Sequence, residues 1–258
     1  MRVLTRCLVP WLLFGCAAQA QDQLPQPVHA QRRNLRAATN LTTSIQLLKV
    51  FVEDGQAHFL LRNNGSSPIT ALLFSINNAT VVIEFLAPIN GGVAPGDTHE
   101  QVTVFPGPLT RDGVVIPGQK EGFSLDAAAF ESTPPEGNSA GIAAIAGIRA
   151  GRTAQLLRAM PLIERALGDP DVDSALDTLI ASLTTLPESV AEESGLHMFN
   201  SGLTDTKRSL LHEIQPLKER QRAFTMDVRK QLWSIHGRHA GILNHLKQQD
   251  GIAKQRRS

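Results

Sequence analysis

The chain has 258 residues, of which 42% are hydrophobic and 19% charged, and its net charge is +1. That balance belongs to a folded chain of one sizeable or two smaller domains, and it excludes a disordered polymer. Near-neutral charge speaks against a dedicated nucleic-acid binder, and 5% aromatics with no tyrosine against an aromatic platform for bases or sugars.

The first twenty residues read as an export signal. Arg2 and Arg6 give a positive start, Leu8 to Gly15 an apolar run, and Ala18-Gln19-Ala20 a small-x-small site for cleavage between Ala20 and Gln21. The apolar run is too short to span a membrane. A second expectation comes from Leu13-Phe14-Gly15-Cys16, which resembles a bacterial lipoprotein box and would lipidate Cys16. The expected location is therefore exported: periplasm, cell surface or outside. Both cysteines, Cys7 and Cys16, lie in this segment, so cleavage after Ala20 leaves no thiol for catalysis or metal binding. Residues 21–40 are rich in Gln, Pro and Arg and read as a flexible leader.

From Ile45 to Phe130 the apolar residues recur with period two. The predicted strands are Ile45–Val52, Ala57–Arg62, Ile69–Ile76, Val81–Leu86, Glu100–Phe105, Val114–Ile116 and Gly122–Phe130. Turn residues separate them: Asp54-Gly55, Asn64-Gly65, Asn77-Asn78, Gly91-Gly92, Pro95-Gly96, Asp112-Gly113 and Pro117-Gly118. Phe59–Ile76 reads as two strands joined by a tight turn, with positive φ supplied by Asn and Gly in Asn63-Asn64-Gly65. About seven short antiparallel strands predict a β-sandwich of immunoglobulin-like type over residues 41–133. No helical period separates the strands, against a parallel α/β sheet.

Pro134-Pro135-Glu136-Gly137 marks a change to helical spacing, and residues 138–250 read as a helical hairpin or bundle. The first helix is predicted over Ser139–Leu167, with Gly151 and Pro161 as bends. A second starts near Asp169, which can cap it with Pro170 at the first helical position. A break follows near Asn200-Ser201-Gly202. One long segment then runs from Thr204 to Lys247, kinked at Pro216, before a basic tail over 251–258. Residues 121–200 carry twelve acidic and four basic side chains, and residues 201–258 twelve basic and five acidic. That asymmetry predicts helices whose charged rims complement each other. The other reading is a basic arm, Lys254, Arg256 and Arg257, on an anionic membrane or protein surface.

Few residues suggest chemistry. Gly137-Asn138-Ser139-Ala140-Gly141 has the letters of a hydrolase nucleophile elbow, which makes Ser139 the one catalytic candidate. The two prolines before it cannot belong to a central strand, and a helix N-cap explains the same letters. His236 and His239 stand three apart on a predicted helix without acidic ligands at matching spacing, and read as solvated surface histidines. Asp169, Asp171 and Asp173 imitate a calcium loop, but Ser174 and Ile180 stand where glycine and glutamate are needed. No metal or cofactor is expected. The sequons at Asn40, Asn64 and Asn78 read as turn chemistry.

Leu61-Arg62-Asn63-Asn64-Gly65-Ser66-Ser67-Pro68-Ile69-Thr70-Ala71 resembles a strand-turn-strand junction of uncharacterised exported bacterial proteins with an immunoglobulin-like sandwich. Ala94-Pro95-Gly96-Asp97 is similar to a Pro-Gly turn of such domains. The resemblance covers residues 45–130, implies the sandwich, and brings no catalytic or binding residues. The expected function is that of a non-enzymatic envelope protein whose helical region binds a partner or itself. The alternatives are a serine hydrolase using Ser139 and a lipid-anchored surface protein with a membrane-contacting tail.

Overall fold

The computed structural model describes residues 33–34, 38–77, 79–86, 91–104, 110–111, 114–115, 122–190, 197–223 and 227–255, all within one compact unit, Arg32–Ser258. Its strands are β1 (Arg33–Asn34), β2 (Ala38–Asn40), β3 (Ile45–Glu53), β4 (Gln56–Asn63), β5 (Ile69–Ile76), β6 (Ala79–Glu84), β7 (Thr98–Val104), β8 (Thr110–Arg111), β9 (Val114–Val115), β10 (Phe123–Phe130) and β11 (Glu136–Gly137). Four helices follow: α1 (Ser139–Gly168), α2 (Val172–Thr184), α3 (His197–Ala223) and α4 (Val228–Gln255). The layout is a β part followed by an α part.

One sheet has the order β1-β3-β4-β7, and the other β11-β10-β5-β6, with β2 also on β10; β8 and β9 pair with each other. Most pairs are antiparallel, but β2 joins β10 in parallel. The two main sheets share a core in which Phe59 of β4 stacks on Phe74 of β5 at 4.7 Å and Phe123 of β10 at 4.4 Å. Around them Ile45, Leu61, Ile69, Leu72, Ile76 and Leu125 are buried.

The Asn63–Pro68 connection differs from the expected tight turn. β4 and β5 belong to different sheets, so this connection is an arch from one sheet to the other. Positive φ occurs at Asp54, Gly55, Asn77, Gly96 and Gly137 among the described residues, and not at Asn63, Asn64 or Gly65. Side-chain bonds hold the arch instead. Asn63, fully buried, donates through Nδ2 to Ser67 O at 2.9 Å and Val93 O at 2.8 Å. Its Oδ1 accepts from Gly65 N at 2.9 Å. Each of these contacts satisfies a polar group that would otherwise cost about 1–3 kcal/mol in a buried site.

Strands also begin inside the stretch read as a flexible leader. β1 pairs with Phe51 and Val52, and β2 with Phe123, Ser124 and Leu125. They are two- and three-residue pieces held by backbone pairing, with no apolar alternation to reveal them. The export signal, the Ala20–Gln21 junction, Cys16 and residues 21–32 lie outside the described residues.

α1 begins where expected because Asn138 caps it, its side chain accepting from Gly141 N at 2.7 Å. It lies on the face of the β5–β10 sheet turned away from the phenylalanines. There Ile145 and Ile142 pack on Ala71, Leu73, Ala127 and Ala129. β5 is thereby buried on both faces, and only Ser75 is half-buried. α2, α3 and α4 each pack against α1 around Leu156, Met160, Ile163, Leu176, Leu183, Leu210, Ile214, Leu232 and Ile242.

The helices correct three expectations. The predicted break at Asn200-Ser201-Gly202 lies inside α3, and the single segment Thr204–Lys247 is two helices, α3 and α4. The tail predicted from residue 251 is helical to Gln255. Gly202 is there for contact: a Cβ on it would stand 2.2 Å from Ile148 O, and one on Gly151 2.0 Å from Phe199 O. α1 and α3 cross backbone to backbone at these two glycines.

Candidate functional site

One group of charged side chains of the helical part ties α4 to α1 and α3. α4 runs back along α1: Arg229 donates to Asp169 O at 2.6 Å, and His236 lies farther along against Glu164 at 3.2 Å. His239 reaches Glu213 of α3 at 3.2 Å, and Arg238 donates to the same carboxylate at 2.9 Å. Burial pushes the Glu213 carboxyl up, but the bond and charge of His239 and the Arg238 guanidinium outweigh it, so the group sits below its ordinary value.

These contacts revise the reading of the histidines. His239 is 4% exposed, so it is a buried, carboxylate-bonded group rather than a solvated one. Its partner and that of His236 come from other helices, which no spacing along α4 reveals. They do not form a metal centre: among the described residues no group of three or more His, Cys, Asp or Glu is arranged to hold an ion.

A second charged cluster joins the helices to the sheet. Glu84 at the end of β6 accepts from Arg149 Nε at 3.2 Å and forms an ion pair with Arg152 Nη1 at 2.8 Å, and its side chain is 5% exposed. Arg149 also donates to Thr70 of β5 at 3.0 Å. Burial opposes the charge on Arg149 and lowers its affinity for the proton, with Glu84 acting in the opposite direction. The half-buried His245 of α4 places its Nε2 2.8 Å from Gln249 Nε2 in the next turn of the same helix.

Charge complementarity between the acidic and basic segments is visible in pairs. Lys218 meets Asp177, Lys207 meets Glu188 at 2.9 Å, and His236 meets Glu164. Lys254, Arg256 and Arg257 of the expected basic arm have no described side chains. No helix among the described residues is long and apolar enough to cross a membrane.

Ser139 is the first residue of α1 and exposed. Among the described residues no serine or threonine hydroxyl hydrogen-bonds a histidine, so no Ser–His pair is assembled there. The glycines of the Gly-x-Ser-x-Gly motif have a packing reason. Gly137 has φ +114°, and a Cβ on it would meet Asp126 O at 2.1 Å; one on Gly141 would meet Ala127 Cβ at 2.9 Å. The motif lets a helix start against a strand. The aspartates resembling a calcium loop start α2 instead: Asp171 N donates to Asp169 Oδ1 at 2.9 Å, and Ser174 N to Asp171 Oδ1 at 3.3 Å. The helix is capped by Asp171 rather than by the expected Asp169. Asn40 makes turn bonds to Thr42 and Ile45 O, Asn64 is exposed, and Asn78 lies outside the described residues.

Two concavities accompany these groups. One of about 100 Å³ lies among α1, α3 and α4 and includes Arg152, Asp205, Thr206, Ser209 and His239. The other, of about 530 Å³, opens between β6 and β7 and includes Phe85, Val93, Asp97, His99 and Gln101. On the bundle surface Trp233 of α4 is 56% exposed and Leu157 of α1 49%, and Trp233 meets His236 edge-on at 5.5 Å between ring centres. No protein-family model, no curated protein and no solved structure matches this chain.

Proposed function

We propose that this is a non-enzymatic exported protein in which an immunoglobulin-like sandwich carries a helical bundle that binds a protein partner or a second copy. The observation that carries this reading is Trp233, the larger of two exposed large apolar side chains among the described residues of a bundle that already closes its own core. Tryptophan is enriched among residues that dominate binding energy at protein interfaces. Its ring meets His236 edge-on, and a side chain already held by a neighbour has less ordering entropy to lose on docking. Export rests on the N-terminal run of Arg2, Arg6 and Ala18-Gln19-Ala20. Light scattering after size exclusion, with a pull-down from envelope extract, tests the reading on wild type and Trp233→Ala. The expected result is a dimer or complex that the substitution removes. A strict monomer with no partner overturns it.

The box at Leu13–Cys16 favours a lipid-anchored form of the same protein. Labelled palmitate entering wild type but not Cys16→Ser supports that form. Absence of label from wild type removes it.

A further inference from the structure

β6 and β7 are outer strands of the two main sheets, and they flank the concavity of about 530 Å³ on one side of the sandwich. The edges on the opposite side are covered in part by short pieces, β1 on β3 and both β2 and β11 on β10. β7 has no such cover: among the described residues its one strand partner is β4. Natural sheet edges are usually shortened, bulged, charged or broken by proline, which stops them pairing with another chain. β7 does little of this. Its seven residues, Thr98–Val104, pair with β4 without a register shift, whereas the β3–β4 and β5–β10 pairs are both bulged. The strand has no proline, and Glu100 is its one Asp, Glu, Lys or Arg.

The side chains of β7 alternate between two faces. Gln101 stands opposite the core residue Phe59, and Val102 opposite His58 on the outer face. Val102 is 38% exposed, and Glu100 beside it bonds His58 at 3.0 Å. His99 and Gln101 line the concavity and are half-buried. Inward positions of a sandwich are ordinarily apolar; these polar ones leave the flank open. An edge of unpaired backbone N–H and C=O groups is met either by water or by another extended strand.

We infer that β7 pairs antiparallel with β7 of a second copy, about a two-fold axis at Gln101, and joins two sheets into one. That register sets Glu100 of one copy opposite Val102 of the other, His99 opposite Thr103 and Thr98 opposite Val104. All seven residues pair, and no like charges face each other. An axis at Glu100 would instead oppose two carboxylates directly, which is destabilising. The second copy brings the same polar His99 and Gln101 to the flank, in keeping with its polar lining. A strand edge is a small interface, so the dimer is weak and concentration-dependent. The contact lies on the sandwich, and it does not rest on a partner at Trp233.

Sedimentation equilibrium of the full chain over a concentration series tests this, with Val102→Glu, Val102→Lys and Trp233→Ala beside wild type. Wild type dimerises reversibly. Val102→Glu sets a carboxylate opposite Glu100 at two symmetric places and weakens the dimer roughly tenfold. Val102→Lys sets an opposite charge there and does not weaken it, and Trp233→Ala leaves it unchanged. A wild type that stays monomeric, a dimer indifferent to Val102→Glu, or one weakened equally by Val102→Lys would each overturn the pairing. A dimer that Trp233→Ala alone removes overturns it too, while leaving the bundle reading in place. Hydrogen exchange adds a measurement that depends on no variant folding: in wild type, peptides within 98–104 gain protection as concentration rises, and no gain overturns the pairing.

Discussion

Gly137 has a packing role that the hydrolase-like letters around Ser139 do not reveal. Its φ of +114° and the 2.1 Å approach of Asp126 O leave no room for a side chain. Ser139, two residues on, is exposed at the first turn of a helix capped by Asn138. Gly137→Ala should therefore destabilise the protein by about 2 kcal/mol or more, as a Cβ forced into a forbidden backbone region does. Ser139→Ala should stay within about 0.5 kcal/mol, as surface substitutions usually do. Urea unfolding of both variants checks the ordering, and the reverse would return the motif to Ser139. Glu136 beside it is a residue-scale tie of another kind. Burial pushes its carboxyl up, but donors from Ser44 and Thr43 more than offset this and hold it below its ordinary value. The folded value being the lower one, its stabilisation is present at neutral pH and is lost as the pH falls from the unfolded value through the folded one. Glu136→Ala should lower Tm at neutral pH, and the gap to wild type should close in acid. A gap that stays constant would show that the ionised carboxylate contributes nothing.

At the scale of elements, the crossing of α1 and α3 sets two effects against each other. Glycine inside a helix costs about 1 kcal/mol relative to alanine, so propensity alone predicts that Gly202→Ala stabilises α3. The contact predicts the opposite, because the new Cβ would stand 2.2 Å from Ile148 O, a backbone atom that cannot swing away. Overpacking of this kind costs about 1–3 kcal/mol, and it should win. Thermal unfolding of Gly202→Ala and Gly151→Ala should show lower Tm for both; a rise in either would mean that the helices separate easily. The same pair marks what could be read from sequence. Period-two patterning located β3, β4, β5, β6, β7 and β10 to within about three residues, since each alternates against a core. The N-cap and the apolar spacing located α1. The glycines of α3 and α1 looked like a break and a bend because propensity is local, whereas the contact that requires them lies on another helix. For the same reason the carboxylates bonded to His236 and His239 were invisible along α4. The arch at Asn63–Pro68 has hairpin letters, and only the sheet order assigns its two strands to different sheets.

For the whole molecule, the question is whether sheet and helices unfold together. α1 covers Ala71, Leu73, Ala127 and Ala129 on the second sheet, so removing the helices would expose an apolar face at the centre of that sheet. The Glu84 cluster adds a charged joint in the same place, with the carboxylate 5% exposed and the Arg149 side chain 12%. Removing one partner of a buried pair leaves the other charge without compensation and typically costs about 3–5 kcal/mol. Arg149 keeps a bond to Thr70, which places the expected loss from Glu84→Ala near the lower end of that range. Its effect on cooperativity is more informative than its size. If the two parts form one folding unit, Glu84→Ala lowers a single transition, and protection of β5 and α1 falls together in hydrogen exchange. If they fold separately, the variant splits the calorimetric trace in two, and the sheet transition stays at its wild-type temperature. The apolar contact between α1 and the sheet does not include Glu84, so it should persist in the variant and keep the transition single.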